Sequence, residues 1–385
     1  MKNFDRRTFL KTNSIALAGL PLFSAFSFKS NNRTINSDSQ KINFTRDGLD
    51  FNPDEYSELL TKLTNGQKGI TDNYSRFGVV EELEKKFANS LGKESAVFMP
   101  TGTMANHIAV KILAGNKKRV LVQNVSHLYN DSGDCAQKLS GINLIPLGGD
   151  KTTFTLEQVK SAVKRSNQGR VKTGIGAILI ESPVRRKDNE MFDFAEMQRI
   201  SEFARDEGIK MHLDGARLFN AVAHSYHSVK DFTDLFDTVY VSLYKNFNAA
   251  SGAILAGDKD QLKDLYHTRR MFGGGMPQVW PFAVVASHFA ESFLSDYKKA
   301  LGNFEIFKQE LEKNSKLKIE KVKNGTNVFI LSVLSGDALV LKKNLMNYNI
   351  ILPEPISNTF KIKTNTSLLR SDPKQLAIKF INSLV

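Results

Sequence analysis

The sequence predicts an α/β protein: a mostly parallel central sheet with helices on both faces, and a smaller α+β C-terminal domain. Short β-branched or apolar runs alternate with longer amphipathic stretches through most of the 385 residues, as parallel strands joined by helical crossovers require. The composition, 41% hydrophobic and 24% charged, is that of an ordinary globular chain. Near Trp280 the alternation gives way to a long helical stretch and a Lys-rich tail.

The elements follow in chain order. Asp5-Arg6-Arg7-Thr8-Phe9-Leu10-Lys11 precedes an apolar run from Ile15 to Phe28. Paired arginines before a moderately apolar run resemble a twin-arginine export signal; a basic helix or a membrane anchor is the alternative. The run of about 14 residues is short of the roughly 20 that span a bilayer. The expected division is signal 1–27, linker 28–41, large domain 42–290 and small domain 291–385. Export would end in the periplasm, with only transient membrane contact. Expected strands are Ser95–Met99, Arg119–Gln123, Asn143–Pro146, Gly176–Ile180, Lys210–Leu213, Thr238–Leu243 and Ala253–Ala256. Helical patterns cover Val80–Leu91, Thr103–Leu113, Leu156–Lys164, Phe194–Glu207 and Ala216–His224. After Trp280 come a helix over Phe282–Leu301 and strands at Asn327–Leu331 and Phe360–Ile362.

Four stations follow strands. Pro100-Thr101-Gly102-Thr103-Met104-Ala105-Asn106 opens a helix, so the N–H groups of Gly102 and Thr103 are free for an anion such as phosphate; a plain N-cap and tight turn explain the same residues. His212-Leu213-Asp214-Gly215-Ala216-Arg217 ends a strand in a carboxylate that needs a cation, or that caps the next helix with Arg217 as its local ion pair. Val239-Tyr240-Val241-Ser242-Leu243-Tyr244-Lys245 ends a strand in a lysine. It is either a surface residue or an amine at the sheet edge where α/β folds place ligands; there, desolvation suits it to Schiff-base chemistry. His127 follows the strand Arg119–Gln123 as a solvated loop residue or a site residue.

Together these stations resemble the threonine aldolase and β-eliminating lyase group of fold-type-I pyridoxal-phosphate enzymes. The similar stretches are Phe98–Asn106, His212–Asn220, Ser242–Lys245 and Gly273-Gly274-Gly275-Met276. The resemblance implies that Lys245 holds pyridoxal 5'-phosphate and that Asp214 pairs with its ring nitrogen. His127 would stack on the ring and act in proton transfer. Gly102 and Thr103 would bind the phosphate, with Arg269 or Arg270 neutralising it. Arg217, helped by Lys361, would hold an amino-acid carboxylate. The implied reaction cleaves the Cα–Cβ bond of a β-hydroxy-amino acid to glycine and an aldehyde, in a homodimer or homotetramer. β-Elimination, transamination, or a non-catalytic exported protein on the same scaffold are the other readings.

Departures fall around the substrate. The family histidine after a strand-end Glu-Asn is absent from Glu181-Ser182-Pro183-Val184-Arg185-Arg186. Arg46 stands where the family has serine, and Tyr244 and Asn246 flank Lys245 in place of Ser and Gly. The 53 Lys+Arg and 40 Asp+Glu give +13. Residues 1–40 carry six cations and two anions, leaving 47 − 38 = +9 spread over the rest. No basic–aromatic motif of a nucleic-acid reader emerges. The single Cys135 excludes an internal disulfide framework and a Cys-based zinc site, and no metal is expected.

Overall fold

The computed structural model describes residues 40–384. The expected export signal lies outside the described residues. Seven strands, β2 (Ser95–Met99), β3 (Arg119–Gln123), β4 (Asn143–Leu147), β5 (Ala177–Glu181), β6 (Lys210–Asp214), β7 (Thr238–Ser242) and β8 (Ala253–Gly257), form one sheet in the order β2-β8-β7-β6-β5-β3-β4. Neighbours from β4 through β7 are parallel, while β8 is antiparallel to both β7 and β2. All strands except β8 therefore point the same way. The carboxyl ends of β2, β3, β5, β6 and β7 share one edge, where open α/β sheets bind ligands. The strands β5, β7 and β8 are buried at every position, which explains their near-continuous apolar runs.

The second core is smaller and includes the start of the described chain. The strands β9 (Leu317–Lys321), β10 (Val328–Val333) and β12 (Thr359–Lys363) make an antiparallel sheet, and β1 (Ile42–Asn43) pairs in parallel with β11 (Ile350–Ile351). Ile42 and Phe44 belong to this core, alongside Phe304, Phe307, Phe329 and Phe380. The expected boundary at residue 290 falls inside one continuous helix, Trp280–Leu311. Its first half packs on the large core and its second half on the small one. Residues 42–44 thus pack with the C-terminal core, not with the large domain in which the sequence places them. Among the described residues no helix is long and apolar enough to cross a membrane.

Phe44 lies 6.1 Å from Phe307 and 5.9 Å from Phe380, centroid to centroid. Truncating a buried Phe costs about 3–5 kcal/mol. Phe44→Ala is therefore expected to lower stability by that amount in denaturant unfolding; a loss below about 1 kcal/mol would show that the N-terminal strap is not part of the C-terminal core.

Candidate active site

The carboxylate of Asp214 ends β6, with only 2% of the residue exposed. Its Oδ2 accepts from Asn106 Nδ2 at 2.5 Å and its Oδ1 from the Ala216 N–H at 3.2 Å. Among the described residues no side-chain cation makes an ion pair with it. Behind Asn106 lies a relay. Asn106 Oδ1 accepts from His212 Nε2 at 2.9 Å, and the Thr238 hydroxyl meets His212 Nδ1 at 2.8 Å. Burial pushes the His212 imidazole down to about 4, so it is neutral with one N–H. Asn106 spends its amide N–H on Asp214, so that proton sits on Nε2 and the Thr238 hydroxyl donates to Nδ1.

Facing Asp214 is the phosphate-competent end of the helix Gly102–Ala114. Thr101 caps it by accepting from the Met104 N–H at 3.2 Å, leaving the first N–H groups free. Residue 102 must be glycine, because a Cβ there would meet the Tyr240 hydroxyl at 2.0 Å. Lys245 follows β7, and burial, then the Arg217 charge, pushes its amine down from 10.5 to about 8. These residues line a cavity of about 290 Å³ with His127, Glu181, Arg185 and Tyr244. It adjoins a cavity of about 940 Å³ lined in part by Arg46, Asp47, Asp50 and Lys363; both are bordered by His127, Arg185, Arg217, Tyr244 and Lys245.

Arg217 is held from the far side. Its Nη2 meets Asp47 Oδ2 at 2.8 Å, and the two side chains are 5% and 8% exposed. Lys363 reaches Asp47 Oδ1 at 3.2 Å, and Asn327 Nδ2 donates to the same oxygen. Burial would raise the Asp47 carboxyl, but the charges of Arg217 and Lys363 outweigh it and hold it far below the usual carboxylate range. The Asp47 loop is fixed to the Lys245 loop: the Leu49 N–H donates to Asn248 Oδ1 at 2.7 Å, and a Cβ on Gly48 would lie 2.4 Å from the Lys245 carbonyl. Arg217 Nε remains buried with no hydrogen-bond partner among the described residues.

Glu181 ends β5, paired in register with Asp214. Burial and then the Asp214 charge raise its carboxyl to about 7. One oxygen accepts from the His127 N–H at 2.6 Å and the other from the Arg185 N–H at 2.9 Å. It thereby anchors two loops that reach the cleft. Burial lowers the His127 imidazole, whose Nδ1 lies 3.3 Å from Ser132 Oγ.

The structure gathers Gly102, Thr103, His127, Asp214, Arg217 and Lys245 around one cleft. Two expected residues lie elsewhere. The Arg269 guanidinium donates to the carbonyls of Phe98 at 2.6 Å, Tyr74 at 3.0 Å and Ser75 at 3.3 Å. It is a buried tie between segments and does not line the cleft. Lys361 is half exposed and meets both oxygens of Asp188 at 2.8 Å; Lys363, two positions on along β12, lines the cleft in its stead. Asp47, Asn106, Glu181, Arg185 and Lys363 were not expected as site residues. Among the described residues no group of three or more His, Cys, Asp or Glu side chains could hold a metal ion.

Comparison with known proteins fits this geometry. The beta-eliminating lyase family model matches residues 64–331. The chain belongs to the beta-eliminating lyase family. A low-specificity L-threonine aldolase of Arabidopsis thaliana is 25% identical over 75% of this chain and 82% of its own length. A Listeria monocytogenes structure provisionally assigned as an L-allo-threonine aldolase superposes with TM-score 0.71 at 27% identity, covering 90% of this chain and 97% of that one. A serine palmitoyltransferase from S. paucimobilis, solved with bound PLP–myriocin, shares the fold with TM-score 0.62 at 13% identity, over 89% and 87% of the chains. The fold is that of the fold-type-I pyridoxal-phosphate enzymes.

The family cofactor fits the residues present. The buried Asp214 carboxylate suits a protonated ring nitrogen, the free helix N-terminus suits a phosphate, and an amine titrating near 8 suits an aldehyde. In the cofactor-free protein, reaction of Lys245 with an amine-directed reagent is expected to rise through pH 8 and level off above it, because the ammonium form below that pH is not nucleophilic. A rate still climbing beyond pH 10, the range of ordinary lysines, would contradict the assignment.

Proposed function

We propose that the protein is a pyridoxal-phosphate-dependent lyase that cleaves the Cα–Cβ bond of a β-hydroxy-amino acid, giving glycine and an aldehyde. The observation that carries this reading is the buried Asp214 carboxylate, without an ion pair among the described residues, sharing one sheet edge with the pKa-lowered Lys245 amine. The family membership and the threonine aldolase relatives support the reaction class. When bound, the cofactor supplies an electron sink for the pair released from the Cα–Cβ bond.

The chain supplies holding, orientation and proton transfer. Lys245 Nζ would hold the cofactor covalently and exchange it for the substrate amine. Asp214, positioned by Asn106 and His212, would keep the ring nitrogen protonated. The N–H groups of Gly102 and Thr103 would bind the phosphate. Arg217 would take the α-carboxylate, which its unpartnered Nε favours, and so set which Cα bond stands across the ring. His127 would cover the ring. Its Nε2, the nitrogen not facing Ser132, would accept the β-hydroxyl proton as the aldehyde forms. Its lowered pKa keeps it neutral and able to do so.

We further propose a homodimer or homotetramer. Tyr74, Phe77 and Met271 support it: all three are exposed, and Tyr74 is tied to the Gly273–Met276 turn region through its N–H to the Pro277 carbonyl. Export by the twin-arginine route to the periplasm rests on Arg6 and Arg7. Replacing both by Lys is expected to leave a tagged protein in the cytoplasm; unchanged export would overturn the routing.

With cofactor added, the protein is expected to absorb near 410–430 nm, roughly the range of cofactor linked to a lysine, and Lys245→Ala to lose that band. L-threonine or L-allo-threonine should release acetaldehyde, with Lys245→Ala lowering the rate at least on the order of 10³-fold. Keto-acid-dependent amino transfer without aldehyde would instead favour an aminotransferase.

A further inference from the structure

Arg185 is a cation on the cleft wall to which the lyase reading gives neither the cofactor nor the α-carboxylate. It stands where β5 gives way to the turn Arg185–Lys187 and borders both the inner and outer cavities. Its backbone is pinned by the bond from its N–H to Glu181. Its side chain is almost free. The neighbouring Asp131 carboxylate is taken by Arg186 through two bonds, at 3.0 and 2.7 Å, while Arg185 reaches it through one nitrogen at 3.4 Å. Among the described residues that is its one ion pair.

Asp214 and Lys245 stand where the cofactor would engage them, and the remaining charged groups around the cleft have partners of their own. Asp47 is shared by Arg217 and Lys363. Arg46 lies 3.5 Å from Asp50, which also meets Lys41, and it lines the outer cavity without reaching the inner one that Arg185 borders. Glu181 turns both oxygens onto backbone N–H groups. A substrate α-carboxylate answers the excess cation of the Arg217–Asp47–Lys363 group. Arg185 is left as a planar donor fork, the geometry suited to a second carboxylate.

We infer that the substrate is a β-hydroxy-amino acid whose side chain carries its own carboxylate, with Arg185 as the residue that binds it. This rests on the lyase reading and narrows its substrate class. For 3-hydroxyaspartate the balance is complete. The Cα–Cβ bond breaks, its electron pair stays on Cα, and Cα takes a proton to become glycine. The β-hydroxyl loses its proton as the C=O forms, giving glyoxylate, and no oxidant or reductant is consumed. Threonine, with a methyl in place of the carboxylate, leaves the Arg185 fork unused.

The test compares kcat/KM of the holoenzyme for L-threo-3-hydroxyaspartate and for L-threonine, in wild type, Arg185→Met and Arg185→Lys. Wild type is expected to prefer the hydroxyaspartate at least tenfold. Arg185→Met should lower that preference by roughly 10- to 100-fold, mainly through KM, as loss of a charge-assisted contact does; Arg185→Lys should retain most of it. A wild-type preference for threonine, or equal losses on both substrates in Arg185→Met, overturns the inference while leaving the lyase reading intact. Binding of L-aspartate against L-alanine, followed by the shift in cofactor absorbance, separates the two claims. If neither hydroxy acid releases aldehyde but L-aspartate binds preferentially through Arg185, the lyase reading fails and the second-carboxylate site stands. If L-aspartate shows no preference, the site fails whatever the chemistry.

Discussion

A carboxylate buried without a cation is the constraint on which this structure turns. Taking an ionised Asp out of water costs several kcal/mol unless an opposite charge or strong donors compensate. At Asp214 the described residues provide only an amide and a backbone N–H. Both donors are themselves held. Asn106 is locked by the neutral His212, and His212 by Thr238 at the start of β7. The relay fixes the donors on Asp214 and leaves the side of its carboxylate that borders the inner cavity for a ligand's positive N–H. A side chain merely capping the following helix would need neither that relay nor such depth.

Chain direction explains why the other groups meet there. With β2, β3, β5, β6 and β7 pointing the same way, the segments after them deliver Gly102, His127, Arg185, Arg217 and Lys245 to one edge. The opposite wall comes from both ends of the described chain. Phe44 is buried in the small C-terminal core, which sets Asp47 against Arg217, and β12 brings Lys363 to the same carboxylate. Stability and site geometry are coupled there: the contacts that close the small core also position Asp47, Arg217 and Lys363.

Much of the large domain was legible because its strands are short, apolar and buried. The expected spans Ser95–Met99 and Arg119–Gln123 coincide with the strands to the residue. The helix Pro53–Thr64 went unexpected; it buries no residue and so carries little core-facing pattern. The helix Trp280–Leu311 runs ten residues beyond the expected end at Leu301, since Gly302 alone does not break a helix that packs on two cores. The motif residues of the cleft could be read from strand-end spacing and family resemblance. The closing residues could not: Asp47 and Lys363 meet only through tertiary folding. Period-2 alternation puts Lys361 and Lys363 on one face of β12 without choosing between them, and Asp188 makes the choice by capturing Lys361. Arg269 shows the converse. A buried arginine tying carbonyls together and one binding phosphate look alike in sequence.

The most direct measurement of the central claim is a cycle between Asp214 and the cofactor ring nitrogen. Dissociation constants would be determined for pyridoxal phosphate and for its analogue with the ring nitrogen replaced by C–H, each with wild type and with Asp214→Asn. If Asp214 is completed by the ring N–H, the substitution weakens pyridoxal phosphate on the order of 10²-fold or more and leaves the analogue nearly unaffected, so the two changes are strongly non-additive. Equal weakening of both ligands would contradict the account, and would make Asp214 a structural residue whose charge the cofactor never meets.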